Sequence, residues 1–454
     1  MDPGQDKGAA PPASARQLAI RFAAFTFLGM AAGAPATFAA SALRFLPGAT
    51  PFDLLFSTSF VVIGTTMLAR ILWAPIIDAH SAQLTGSRGR RRGWVALLLP
   101  ALAGLSIAIG VLVPAPGAQP SPVYLGLMVV AMIVAGGLFA AVDGLRSAQP
   151  AKRTQGVLAV GQYAGTIVPA VVLALVASGG NLNTAQYGLA VTILWLSTGF
   201  LAAGWIGLWL LPDEEGEGGR VADLPRVQRL LASKVNLSAA GLRLTAWLYG
   251  VFICPIIDFF ERHGRAAWLA LLLLVLGNAA IQWGGLRMIF PLYPGTALAT
   301  EMQSVATAAT VLNTVGLVAG GILAFWLSPI RGFAVTLAVV AIALAAEIVA
   351  AMTAPALTPP VVAYLIFSFA GGTFFIAFVA VIGRLATPRF AAFQFSLLLI
   401  VALPRGVSQL LANAMRSAIG TVGALGLFLI ITVIAIVLAI LLARRLEPRM
   451  QPPD

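Results

Sequence analysis

Apolar runs of about 20 residues recur along this chain, near 20–42, 53–73, 94–113, 122–142, 155–178 and 188–211. They return near 266–287, 302–327, 333–352, 360–383, 391–412 and 421–443. A run of that length suits a helix crossing a hydrocarbon layer roughly 30 Å thick, whereas a barrel strand needs only about ten residues. Lipid offers a backbone no water to bond, so each run must satisfy its own peptide groups, as a helix does. The pattern restricts the chain to an all-α polytopic membrane protein with twelve transmembrane helices. Composition agrees, since only 10% of the residues are charged, against about a quarter in a soluble domain.

A polar interruption divides the runs into two sets of six. From Asp213 to Pro225 the chain is acidic and Gly-rich, without apolar periodicity, and reads as a linker. The expected organisation is an N-terminal six-helix bundle over 1–211, a cytoplasmic linker with an interfacial helix over 212–264, and a C-terminal six-helix bundle over 265–454. Within the linker, 227–248 has the apolar face and basic flanks of a helix lying on a membrane surface. The following 251–265 is too short and too polar to cross alone, and a crossing that begins near Leu244 is the competing reading. Two six-span halves imply a pair of bundles related by an axis along the membrane normal.

The net charge of +12 fixes orientation rather than a nucleic-acid partner, because the basic residues fall in short segments between apolar runs. With a cytoplasmic N-terminus, Lys7, Arg16 and Arg21, then Arg88, Arg90, Arg91 and Arg92, then Arg146, Lys152 and Arg153 all lie inside. So do the linker arginines, Arg331, Arg384, Arg389, Arg444, Arg445 and Arg449, which leaves only Arg44, Arg287 and Arg416 outside. That bias is the signature of twelve crossings with both ends cytoplasmic. Lys7, Arg16 and Arg21 ahead of an apolar run imitate a signal peptide, but the run's length suits an uncleaved first helix. The single cysteine, Cys254, excludes an intramolecular disulfide.

No HExxH, GxSxG, CxxC or Walker A sequence occurs, so neither an enzyme nor a cofactor is expected. His80 and His263 lie beside basic segments, where a surface role is expected. Charges at bilayer depth are costly unless they face protein or water, which singles out the polar residues inside spans. Arg70 either snorkels to the inner interface or faces a cavity and binds an anionic solute; Arg405, immediately after Pro404, is its counterpart in the eleventh span. Asp143 and Arg146 form either a local ion pair or a gate, and Glu347, the one carboxylate well inside a span of the second half, either suits coupling or reaches the outer interface. Asp78 and the arginines of its loop suit salt bridges that break as a cavity opens. Asn278 and Gln282, four apart on the seventh span, form a polar patch for substrate; Gln162, Tyr163 and Asn313 either line the same cavity or join helices.

These residues also carry a resemblance. Leu72-Trp73-Ala74-Pro75 with Asp78, followed by Gly89-Arg90-Arg91-Arg92-Gly93-Trp94, resembles the loop between helices two and three of the muropeptide permease (AmpG-like) family of the major facilitator superfamily. Asp143 with Arg146, Pro255 with Asp258-Phe259-Phe260, Ala370-Gly371-Gly372, and Phe390 with Gln394 match further segments. The resemblance implies proton-dependent import of anhydro-muropeptides through a bacterial inner membrane. The sequence departs from the family at Gly137-Leu138-Phe139, where members have Thr-Gln-Asp, and at Val275 and Asn278, where they have Lys and Asp.

The reading is therefore a secondary active transporter working by alternating access, proton-coupled, for a polar or anionic solute. Arg70, Arg405, Asn278 and Gln282 are its expected solute contacts, and Asp78, Asp143, Arg146 and Glu347 its coupling or gating groups. Its expected partners are the solute, protons and lipid, and it is expected to be a monomer. A membrane scaffold that no longer transports, or a porter for an unrelated solute, is the alternative.

Overall fold

The computed structural model describes residues 14–43, 59–80, 82, 89–112, 121–149, 154–179, 186–212, 238–283, 286–293, 297–401 and 405–446. In the first half these form α1 (Ala15–Leu43), α2 (Ser59–Ala79), α3 (Arg90–Val111), α4 (Pro122–Ser147), α5 (Gln155–Gly179) and α6 (Gln186–Leu210). The central segment contributes α7 (Ala239–Leu248) and α8 (Cys254–His263), joined by a π-helical turn over Tyr249–Ile253. The second half holds α9 (Arg265–Trp283), α10 (Ala306–Trp326), α11 (Pro329–Met352), α12 (Thr358–Leu385), α13 (Ala391–Val401) and α14 (Arg405–Leu446). By length and composition, eight helical stretches among the described residues could cross a membrane, one of them the continuous Ala239–His263 segment.

Several boundaries differ from the sequence reading. The second helix continues to Ala79, past the end of the apolar run at Trp73, because Pro75 is carried inside the helix. Proline removes one hydrogen bond, and neighbouring helices make that loss tolerable in a membrane bundle. The extension places Asp78 on the last turn of α2 instead of in a loop. Arg90, Arg91 and Arg92 likewise open α3. The eleventh and twelfth spans are also divided differently, with α13 covering the start of the eleventh and α14 continuing through a break at Gly420, whose φ is 74°.

The two halves pack alike. In the first, α4 lies between α2 and α3, α3 packs on α6, and α1 on α5 and α6. In the second, α12 lies between α10 and α11, α11 packs on α14, and α9 on α14. The repeat of six spans is thus a repeat of helix pairings. The halves meet where α5 packs on α10 and α12, and where α2 and α4 pack on α13. These contacts gather at one end of the molecule, where α2 and α4 finish and α3, α5 and α13 begin. Arg91, Arg146, Arg384 and Arg389 all belong to this basic end.

The segment from Ala239 to His263 is one rod about 37 Å long at helical rise. Ser238 caps it by accepting the Gly241 backbone N–H, and the wide turn precedes Pro255, which has no N–H to donate. Trp247 Nε1 donates to His80 Nε2 at 3.1 Å. Gln394 Nε2 donates to the Pro255 carbonyl at 2.8 Å, and His263 Nε2 lies 3.0 Å from the Leu385 carbonyl. All three anchors belong to the basic end, so the rod lies across that end and ties the halves together instead of running along the bundle. It stops at Gly264, where a φ of 55° suits glycine and turns the chain into α9. The portion of the linker over 213–237 falls outside the described residues.

Candidate functional site

Asp143 sits on the penultimate turn of α4 with its carboxylate fully buried. Arg70 of α2 donates from Nη1 to Oδ2 at 3.0 Å, and Arg146 from Nη2 to Oδ1 at 3.4 Å, with side-chain exposures of 3% and 0%. Two donors from α5 complete the set: Gln162 Nε2 reaches Oδ1 at 2.8 Å, and the Tyr163 hydroxyl at 3.0 Å. Arg146 is held further by Gln162 Oε1 at 2.8 Å and Gln155 Oε1 at 3.2 Å. Three helices thus converge on one carboxylate.

The charge balance is uneven, because two buried guanidinium groups share a single anion. Among the described residues Arg70 Nε has no hydrogen-bond partner, and its guanidinium rests 4.4 Å above the Phe139 ring. On this side the guanidinium meets a π face rather than a carboxylate. Aromatic faces attract cations without neutralising them. A buried charge left short of a counter-ion is expensive, which favours an arriving anion.

The cluster faces the seam between halves. Arg146 lies 5.0 Å from the Phe395 ring of α13, and Tyr163 meets Phe375 of α12 edge-on at 4.8 Å. About 12 Å further along α2, Asp78 makes a second set of bonds across the same seam. Its Oδ1 accepts Arg91 Nε at 2.9 Å and Nη2 at 2.7 Å. Its Oδ2 accepts the Phe393 backbone N–H at 2.8 Å, in the first turn of α13, where exposed amides favour an anion. Arg91 Nη2 also donates to the Pro388 carbonyl at 2.6 Å. Gly144 makes this crowding possible: a Cβ there would lie 2.8 Å from Arg91 Cδ and 2.9 Å from Ala392 Cβ. The ion pair on α2 and α3 therefore clasps α13 of the other half, and the basic end is closed.

The structure gathers Arg70, Asp143, Arg146, Gln162 and Tyr163 into one site and places Asp78 in the adjoining clasp. Glu347 is buried near the far end of α11, away from both. Asn278 is buried on α9. Arg405 and Gln282 lie in helices, but their side chains fall outside the described residues. Sequence reasoning missed Gln155, Phe139 and the Phe393 amide. Gln155 was accessible as a polar residue opening the fifth span, whereas nothing in the sequence marks a backbone amide as a ligand.

No family model matches the sequence, and no curated protein does. Solved structures do match along nearly the whole chain. The major facilitator proton:xylose symporter XylE, bound to 6-bromo-6-deoxy-D-glucose, superposes with a TM-score of 0.58 at 11% identity, covering 96% of this chain and 97% of its own. The chain has the major facilitator fold. Within that fold, a bacterial homologue of the iron transporter ferroportin in an outward-facing state gives a TM-score of 0.55 at 16% identity over 95% and 100% of the two chains. The human organic anion transporter MFSD10 (TETRAN) gives 0.53 at 14% identity over 95% and 100%.

Proposed function

We propose that this protein is a secondary transporter that carries a polar or anionic solute by alternating access, with its basic end cytoplasmic in a bacterial inner membrane. The observation that carries the reading is the excess of guanidinium over carboxylate in the buried cluster at the seam. Of the solutes named for structures of the same fold, an organic anion suits two arginines sharing one aspartate, and an iron cation would be repelled by them. The family resemblance points the same way, because anhydro-muropeptides carry carboxylates.

With the basic end clasped, solute enters from the opposite side and meets Arg70, whose Nε is left without a partner among the described residues. Asp143 Oδ2 is then contested. A proton on it removes the charge that holds Arg70 and releases the guanidinium to the solute, which links proton entry to solute binding. Inward opening requires Asp78 to let go of Phe393 and Arg91 to leave the Pro388 carbonyl. Glu347 is assigned to coupling near the far end, and Asn278 and Gln282 of α9 to polar contacts with solute, with Arg405 as a second cation.

Uptake of labelled anhydro-muropeptide and of simpler organic anions into proteoliposomes, with and without an imposed proton gradient, tests the reading. Gradient-stimulated uptake of an anion, abolished in Arg70→Gln, is the expected result. Uptake of neutral sugars or cations in preference to anions would overturn it. Cysteines placed between residues 213 and 225 of protein in intact cells should be inaccessible from the periplasm.

A further inference from the structure

The rod across the basic end has two faces. Ala246, Gly250, Val251, Pro255 and Phe259 are buried against the bundle, while Leu244, Leu248, Ile253, Ile256 and Ile257 are exposed. An aliphatic stripe of this kind on a helix lying parallel to a membrane sinks into the boundary between headgroups and acyl chains. The tryptophans mark that level independently. Trp209 ends α6, Trp326 ends α10 and Trp268 opens α9, all at the basic end, with exposures of 79%, 80% and 66%. Exposed tryptophans in a ring are characteristic of the membrane interface.

Between the rod, α9 and α13 lies a cavity of about 190 Å³, walled by Pro255, Ile256, Phe259, Phe260, Leu271, Gln394, Leu397 and Leu398. Its lining is aliphatic and aromatic apart from Gln394, whose amide is already taken by the Pro255 carbonyl and by Asp258 Oδ2 at 3.0 Å. Phe260 of its wall meets the exposed Trp268 at 4.8 Å with the rings tilted by 43°, so the cavity adjoins the lipid-facing surface at the depth where chains meet headgroups. Arg262 and Arg265 are exposed on either side of the Gly264 turn, in the short stretch of chain between Phe260 and Trp268, with Glu261 as their neighbour.

We infer that this cavity is a binding site for an anionic phospholipid of the leaflet at the basic end, which inserts part of an acyl chain between the rod and α13 and sets its phosphate against Arg262 and Arg265. Hydrocarbon fills an apolar void that water would leave dry, and each buried methylene contributes about 0.8 kcal/mol. The arginines select the headgroup, since a guanidinium binds phosphate through paired hydrogen bonds. Gln394 adjoins Phe393, so the lipid sits one residue from the clasp on Asp78.

The full-length protein in phosphatidylcholine nanodiscs, doped with phosphatidylglycerol bearing a photoactivatable group on one acyl chain, tests the site. Adducts should concentrate on peptides covering 254–260 and 394–398. Ile256→Trp or Leu271→Phe, each of which fills the cavity from a different wall, should lower them about fivefold or more, the effect of losing one or two buried methylenes. Adducts on the exposed Val311–Ile322 face of α10 should stay constant and report that the variants are folded. Replacing both Arg262 and Arg265 by Gln should cut labelling by phosphatidylglycerol while sparing labelling by a phosphatidylcholine probe. Labelling that survives filling of the cavity, or that matches the α10 face throughout, overturns the site; labelling indifferent to the headgroup overturns its anionic character.

Discussion

Asp78 Oδ2 accepts the backbone N–H of Phe393 at 2.8 Å across a sequence separation of 315 residues, a contact that joins the end of α2 to the first turn of α13. With Arg91 on its other oxygen at 2.7 Å, Asp78 ties three chain segments through charge-assisted bonds, each of which contributes about 1.5–3 kcal/mol. Asp78→Asn presents an amide N–H₂ to Arg91 and should release the clasp. With Cys254 replaced by Ser and a reporter cysteine at the buried Ala392, maleimide labelling from the basic side should rise about tenfold or more. Unchanged labelling would mean that apolar packing alone keeps this end shut.

Arg70 and Phe139 separate charge from shape in the proposed solute site. Arg70→Lys keeps a cation near Asp143 and should retain part of the anion uptake, whereas Arg70→Gln should lose about tenfold or more in uptake rate, the loss of one charged contact. Phe139→Asp places a carboxylate beside Arg70, giving two anions for two guanidinium groups. That variant should fold and should lose its preference for anionic over neutral solutes in competition uptake. Retained anion preference in Phe139→Asp would remove the charge excess as the basis of selection.

The parts of this architecture that were legible in the sequence are those set by solvent. Run length and the placement of arginines follow from lipid and headgroups, so the spans and the basic end could be read from residues alone. Helix ends were less legible, because Pro75 normally marks a stop and only the surrounding bundle allows α2 to continue to Asp78. The cluster was half legible. Arg146 lies three residues after Asp143 and invites pairing on one helix, but Arg70 is 73 positions away, and its choice of Asp143 depends on how α2 packs against α4. Position 139 reads as one more apolar residue until the ring is found beneath a guanidinium. The rod read as interfacial because of its polar end, yet its anchors at His80, Gln394 and Leu385 are contacts that only the folded chain brings together.

Asp143 should matter for stability as well as for transport. Asp143→Asn leaves Arg70 and Arg146 buried without their counter-ion, and removing one member of a buried ion pair costs about 3–5 kcal/mol. Thermal unfolding in detergent should therefore shift clearly downward. Adding Arg70→Met to Asp143→Asn removes one of the stranded charges and should recover part of the loss, a non-additive result that a double-mutant cycle reads directly. Strictly additive effects would show that the two side chains do not depend on one another.

Gly144 isolates closure from chemistry. It binds nothing itself, but its missing side chain is the space in which Arg91 of α3 and Ala392 of α13 approach α4, at 2.8 Å and 2.9 Å from where a Cβ would stand. Gly144→Val should force these elements apart, because backbone-anchored neighbours in a packed interior yield less readily than a flexible chain end. The expected result is a protein that still folds and still binds solute from the far side, but labels readily at Ala392→Cys and transports slowly. Gly104→Ala is the matched control, since nothing lies within 4 Å of its added methyl, and it should leave labelling and uptake unchanged. If Gly144→Val closes as tightly as the parent, the clasp has slack that the distances around Arg91 do not suggest, and the coupling of α4 to α13 through that glycine is refuted.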